Sequence, residues 1–246
     1  MEEINKIPPV TRFLCGATVL ISPPVLLGLI APYRILFVKE LVVQKFEIWR
    51  IASSFFLTSQ GIGFLFDMMM LYRNSNELET QHFARRSADY AYQLSIAALS
   101  ILALNIPLNS YVHFRALLLC ITYLSSRLNP AARVSLFGLV HMENQYFPFA
   151  LVAMDGVMGG IEAAMQSLTG IIVGHAWWLL EYGSSGNAGG LGRAPRWLAK
   201  LFGESQNPTD RRTSRTSYGT RIVPRGQEPP ATTGYRWGSG QRLGTE

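Results

Sequence analysis

"SLTGIIVGHAWWLLE", residues Ser167 to Glu181, carries no carboxylate, lysine or arginine until its last residue, and holds two glycines four apart with an imidazole directly behind them. Gly170 and Gly174 make a G-x-x-x-G, a spacing that clears side chains from one face of a helix and lets a neighbouring backbone come close. The stretch lies in a longer apolar run, Ala163 to Leu180. At about 1.5 Å per residue, that run nearly spans a hydrocarbon core of about 30 Å. Read this way, the solvent of the fold is a bilayer.

The composition agrees. Of 246 residues, 48% are hydrophobic and only 15% charged, too apolar for an ordinary soluble domain. The first apolar run lacks a short core followed by a small-residue cleavage site, so it reads as a retained anchor. Cys15 and Cys120 both fall inside apolar runs and are expected as buried structural thiols, not a disulfide or a metal site. No cofactor and no metal centre is expected.

Charge divides the chain. Residues 1–182 hold 12 Lys+Arg against 12 Asp+Glu, while residues 183–246 hold 10 against 4. The excess of +6 therefore sits in the tail. Its arginines lie among Gly, Ser, Thr and Pro without a folded motif or aromatic platform, which argues against nucleic acid and for a disordered segment drawn to anionic headgroups. The domains are thus a membrane body, 1–182, and a basic flexible tail, 183–246.

Six spans are expected. The first is the uncharged "FLCGATVLISPPVLLGLIAPY" between Arg12 and Arg34, where Pro23 and Pro24 should kink the helix. The second runs from Ile51 to Tyr72 and contains Asp67; the third starts at Tyr90 and turns near Pro107 and Asn109. The fourth covers about Val112 to Ser126, the fifth about Tyr146 to Gly160 with Asp155 inside it, and the sixth Ala163 to Leu180. Outside the tail, Lys6, Arg12, Arg73, Arg85, Arg86, Arg127 and Arg133 fall on the side of the termini, against Arg34, Lys39, Lys45 and Arg50 opposite. This bias, with the basic tail, places both termini in the cytosol. Several spans are short, which thins the surrounding bilayer or makes flanking residues snorkel. Asp67 and Asp155 either face protein or water, as an intramembrane carboxylate must, or lie near the ends of tilted helices. No partner for either is evident in the sequence.

Three separated motifs point to one family. The loop "RILFVKELVVQKFEIWR" ends in Trp49-Arg50, the sixth span carries Gly170 and Gly174, and the tail closes on "YRWGSGQRLG", residues 235–244. With "LYRNSNELE" at Leu71 to Glu79, "RLNP" at Arg127 to Pro130 and "GHAWWLLE" at the end of the sixth span, the chain resembles the Derlins, non-catalytic relatives of rhomboid intramembrane proteases. The resemblance covers nearly all of residues 1–182 and the last dozen. The terminal piece resembles the SHP box that holds an AAA ATPase segregase. There Tyr235, Trp237 and Leu243 offer large apolar side chains to a groove, and Gly238, Gly240 and Gly244 let the backbone lie close.

The resemblance implies an all-α membrane protein, a six-transmembrane rhomboid-like bundle with a disordered cytosolic tail. It also implies a dead protease. A rhomboid base would stand three residues before Gly170, where this chain has Ser167, and His175 lies eight residues further on, about 12 Å along a helix. The nucleophile motif G-x-S-G falls on Val112-His113-Phe114-Arg115, and the oxyanion donors fall on Gly63 and Asp67, where a carboxylate would repel the developing charge. Ser110 with His113 is a poor substitute dyad, and His175 reads as a packing or interface histidine beside Trp177 and Trp178.

The implied work is retrotranslocation of misfolded proteins from the endoplasmic reticulum. The chain would be a lateral half-channel, open to lipid between the second and fifth spans, in a locally thinned bilayer. A membrane-embedded RING ubiquitin ligase complex would supply the other half, and the segregase would pull from the cytosol; assembly as a ring of identical subunits stays open. Trp49 and Arg50 would fix the interfacial loop, Gly170 and Gly174 the sixth-span packing, and Asp67 and Asp155 would line the substrate cleft. Two rivals remain: a small multispan transporter of a solute or proton through the two aspartates, and an active intramembrane protease.

Overall fold

The computed structural model describes residues 7–84, 86–136, 140–183 and 193–203. The described chain is mainly helical. In order come α1 (Pro9–Leu26), α2 (Lys39–Lys45), α3 (Trp49–Ser53), α4 (Ile62–Glu77), α5 (Ser87–Asn105), α6 (Phe114–Leu128), the antiparallel pair β1 (Arg133–Leu136) and β2 (Val140–Glu143), α7 (Phe147–Trp178) and α8 (Arg196–Leu201). Glycine at position 160, with φ 78° and ψ −173°, breaks α7 into limbs of residues 147–159 and 161–178. Among the described residues, two stretches are long and apolar enough to cross a membrane by length and composition, Pro9–Leu26 and Asn144–Glu181. By the same measure α4 and α6, of 16 and 15 residues, are shorter than a crossing normally needs.

α6 is the hub. Apart from Arg115 and Arg127, every residue from Phe114 to Leu128 is buried. Both α4 and α7 pack against it. The closest approach is with the second limb of α7: a Cβ added at Gly170 would lie 2.1 Å from the carbonyl oxygen of Ala116, and one at Gly174 would lie 3.0 Å from that of Cys120. Two glycines on one helix thus face two small residues, four apart, on the other. Backbones held that close gain dispersion contacts that lipid tails cannot offer.

At the N-terminal end of α1, the amides of Val10 and Thr11 donate to the two carboxylate oxygens of Glu79 at 3.0 and 2.8 Å, and the Thr11 hydroxyl donates at 2.9 Å. A negative charge there satisfies orphan amides and complements the helix dipole. α1 continues through Pro23 and Pro24 and stops at Leu26, before Gly28 at φ 72°.

The helix expected as the second span begins later than the sequence suggests. Ile51 starts no membrane helix: α3 ends at Ser53, and α4 opens at Ile62 after Gly61 at φ 64°. The cause lies in the intervening hydroxyls. Ser53 donates to the carbonyl of Ile35, Ser54 to that of Ile51, and Ser22 accepts from the amide of Thr58. Such side chains offer the backbone partners other than a helical ladder. The β1–β2 pair, with Arg133 opposite Glu143 and Val134 opposite Met142, was not foreseen.

The first compact unit, taken by itself, includes α8. Within it, α8 packs on α5: Ala88, Ala194 and Ala199 are buried together, and the amide of Ala194 donates to Asp89 at 2.8 Å. Cys15 and Cys120 are both free thiols, the latter fully buried.

Candidate functional site

Arg115 stands at the start of α6, one residue inside the helix, among otherwise apolar neighbours. Its Nη1 donates to Asp67 Oδ1 on α4 at 2.7 Å, its Nε donates to Asp155 Oδ2 on the first limb of α7 at 3.3 Å, and its Nη2 pairs with Asp155 Oδ1. One planar guanidinium therefore bridges two helices while rooted in a third, a task for which its forked donors suit it and an ammonium would not. Side-chain exposures of 22%, 1% and 11% for Arg115, Asp67 and Asp155 show how enclosed the group is.

Each carboxylate has a further partner. The hydroxyl of Ser167, on the second limb of α7, donates to Asp155, and that of Ser59, in the loop before α4, donates to Asp67, whose Oδ2 also accepts the Ser59 amide at 3.4 Å. Next to them the amide of Gln166 donates to the carbonyl of Val112. Five polar side chains from five places in the sequence thus meet at one end of α6. The partner that the sequence could not name for Asp67 and Asp155 is the same for both.

The positions aligned by resemblance to a protease centre converge here. Ser167 occupies the base position, Asp67 an oxyanion-donor position, and Val112 to Arg115 the nucleophile motif. Ser167, buried and donating to a carboxylate that already holds a guanidinium, has no imidazole beside it to take its proton. Phe114, at the nucleophile position, is buried in the core. His113 is also buried; its Nδ1 lies 3.2 Å from the Ser54 hydroxyl, between the rings of Phe37 and Phe55. Among the described residues no three His, Cys, Asp or Glu side chains gather as a metal site.

His175 lies elsewhere, two turns further along α7. Its Nδ1 meets the Tyr123 hydroxyl at 2.8 Å, and its ring stacks on Trp178 with centroids 6.0 Å apart. The Arg127 guanidinium covers the other aromatic partner, 4.6 Å from the Trp178 centroid. Trp177 donates to Gln93 at 2.5 Å. The RLNP and GHAWWLLE segments therefore form one aromatic and cationic cluster.

Trp49 and Arg50 behave differently from one another. Trp49 is exposed, whereas Arg50 is buried, donating from Nη1 to the carbonyls of Tyr33 at 2.5 Å and Leu36 at 3.1 Å while its Nε pairs with Glu47. Arg50 thus ties the loop after α1 to α3. The LYRNSNELE segment is a row of anchors: Asn74 donates to Thr122 at 2.8 Å, Ser75 bonds Tyr90 at 3.0 Å, Glu77 accepts from Ser125 at 2.9 Å, and Glu79 caps α1. Tyr235, Trp237, Gly238, Gly240, Leu243 and Gly244 lie outside the described residues.

Glycine-packed backbones, an ion-paired centre and, among the described residues, two stretches long and apolar enough to cross a membrane define a helical bundle with polar chemistry sequestered between its helices. The chain belongs to the Der1-like family, whose model matches residues 7–196. It is 33% identical to "Derlin-1" of Arabidopsis thaliana over 207 residues, covering 81% of this chain and 76% of that one. It is 27% identical to "Derlin-1" of Drosophila melanogaster, over 98% and 96% of the two chains, and 26% identical to "Derlin-1" of Homo sapiens, over 100% and 98%.

Proposed function

We propose that this Der1-like protein is a non-catalytic, multi-pass component of endoplasmic-reticulum-associated degradation. It crosses the membrane six times with both termini in the cytosol, and it serves as a lateral half-channel through which misfolded proteins return for degradation. The observation that carries the non-catalytic reading is the bond from Ser167 to Asp155, itself paired with Arg115, at the place where a hydrolase would need a free base and nucleophile. Membership of the family over residues 7–196 supports the degradation role.

The route follows from helix length. α4 is about 24 Å long, α6 about 22 Å and the first limb of α7 about 20 Å, each less than a hydrocarbon core of about 30 Å. Belts that short draw the headgroups inward and shorten the distance a polar chain travels through hydrocarbon. A RING ubiquitin ligase in the membrane faces the opening, and the segment 235–244 recruits the segregase, with the basic tail as a tether that raises its local concentration.

Affinity purification of the full chain in mild detergent, with mass spectrometry of bound proteins, tests this. Ligase and AAA ATPase are expected together, and deletion of residues 235–244 should remove the ATPase alone. Recovery of neither partner, or undiminished ATPase after the deletion, would overturn the assignment.

A further inference from the structure

The long helix α7 is unevenly held. Leu151 and Ser167 are buried, yet none of the residues between them is, and Val157 and Met158 are 88% and 82% exposed. Val152 and Met154 lean on the core, and beyond them the tie to the bundle is polar: Asp155 to Arg115 and Ser167, with Gln166 to Val112. A segment with so few buried apolar contacts lies at the low-stability end of a fold. At its middle, Gly160 sits at φ 78°, a backbone conformation that side chains rarely adopt, and a Cβ at Gly159 would fall 2.6 Å from that of Ala163.

The seam that this segment closes is thin as well. α4 and α7 pack against α6, each on its own account. Where α4 nears the start of α7, Phe66, Met70, Asn74, Asn144 and Phe147 border a cavity of about 30 Å³. At the other end Arg115 makes the join.

We propose that Arg115 is the latch of a hinged lateral gate: it holds the end of the first limb of α7 beside α4 through Asp155 and Asp67, and when Asp155 is released the stretch between Leu151, which stays in the core, and the hinge at Gly160 swings out. The second limb keeps its place, because the Gly170 and Gly174 contacts with Ala116 and Cys120 lie beyond the hinge. An enclosed ion pair suits a latch, since desolvation and attraction nearly cancel and an entering polar group can tip the balance. An unfolded polypeptide supplies such groups: its carbonyls and carboxylates replace Asp155 at the guanidinium, which gives the open state the differential affinity that any ligand-driven shift requires. This occupant rests on the proposed role in retrotranslocation; the latch itself does not.

Hydrogen–deuterium exchange of the full chain in phospholipid nanodiscs reads the gate without substrate or partner, so its outcome is independent of the degradation role. Arg115→Met should speed exchange over residues 150–162 by about tenfold or more, with residues 116–124 and 168–178 unchanged. Arg115→Lys, which keeps a cation but loses the fork, should give a smaller, equally local increase. Unchanged exchange over 150–162 in both variants overturns the proposal, and so does an increase spread equally over all three segments in both, the mark of a purely structural arginine.

Discussion

Gly170 stands so close to Ala116 that a single added carbon would penetrate the carbonyl group of the facing helix, 2.1 Å from its oxygen. The four-residue partner, Gly174, leaves more room against Cys120, at 3.0 Å. The two halves of the G-x-x-x-G are therefore unequal.

Gly170→Ala should accordingly destabilise the bundle by about 1–3 kcal/mol, through overpacking against a backbone that cannot turn away. Gly174→Ala should cost distinctly less. Thermal unfolding followed by tryptophan fluorescence in detergent ranks the two; equal midpoints for the variants and the parent would contradict the close approach.

Removing the cap on α1 has a local signature. Glu79→Gln leaves the shape but weakens three hydrogen bonds made to a carboxylate, at a cost of about 1–2 kcal/mol. Amide exchange at residues 10–13 should quicken while that of α6 stays slow. A protected α1 terminus in the variant would show that Glu79 is not what holds it.

Arg50→Ala should release the loop between α1 and α3. Two carbonyls, those of Tyr33 and Leu36, lose their donor, and limited proteolysis from that side of reconstituted vesicles should cut within residues 28–48. Trp49→Ala, by contrast, removes an exposed ring and should leave cleavage near parent levels. Equal sensitivity of the two variants would mean that the pair acts as one interfacial anchor.

His82, in the turn after α4, is held below its ordinary pKa of 6.5 by burial, only partly offset by the nearby Glu77 carboxylate. The folded state therefore resists the proton more than the unfolded chain does. Stability from this group is fully present above about pH 6.5 and is lost as pH falls below that value toward the depressed folded pKa. Across that window the unfolding midpoint of the parent should fall faster with acid than that of His82→Gln. Parallel pH profiles would remove the effect.

How far the sequence carried the reading depends on the distance over which each feature is encoded. Gly170 and Gly174 declare themselves within five residues, and Ser167 and Phe114 could be placed by counting from nearby landmarks. Asp67 and Asp155 stood out as carboxylates in apolar company, but Arg115, which holds both, lies 48 and 40 positions away from them and looked like a residue near a span end. Periodicity says nothing about such pairings. The start of α4 was misjudged because the serines and threonines from Ser53 to Ser59 are neutral in a hydropathy window, though they compete with a helical ladder. The β1–β2 pair has only four residues per strand, too short for alternation to register. α8 sits in a glycine-rich and basic stretch, and its docking depends on Asp89, 105 residues before Ala194.

The central claim is that polypeptide passes the ion-paired centre and is not cut there. A photoreactive amino acid at position 157, on the exposed face of the first limb, reports on this in microsomes carrying a misfolded luminal substrate arrested during extraction. The account predicts an adduct between this chain and full-length, uncleaved substrate. Adducts with shortened substrate, or adducts with lipid alone while substrate is demonstrably in transit, would contradict it.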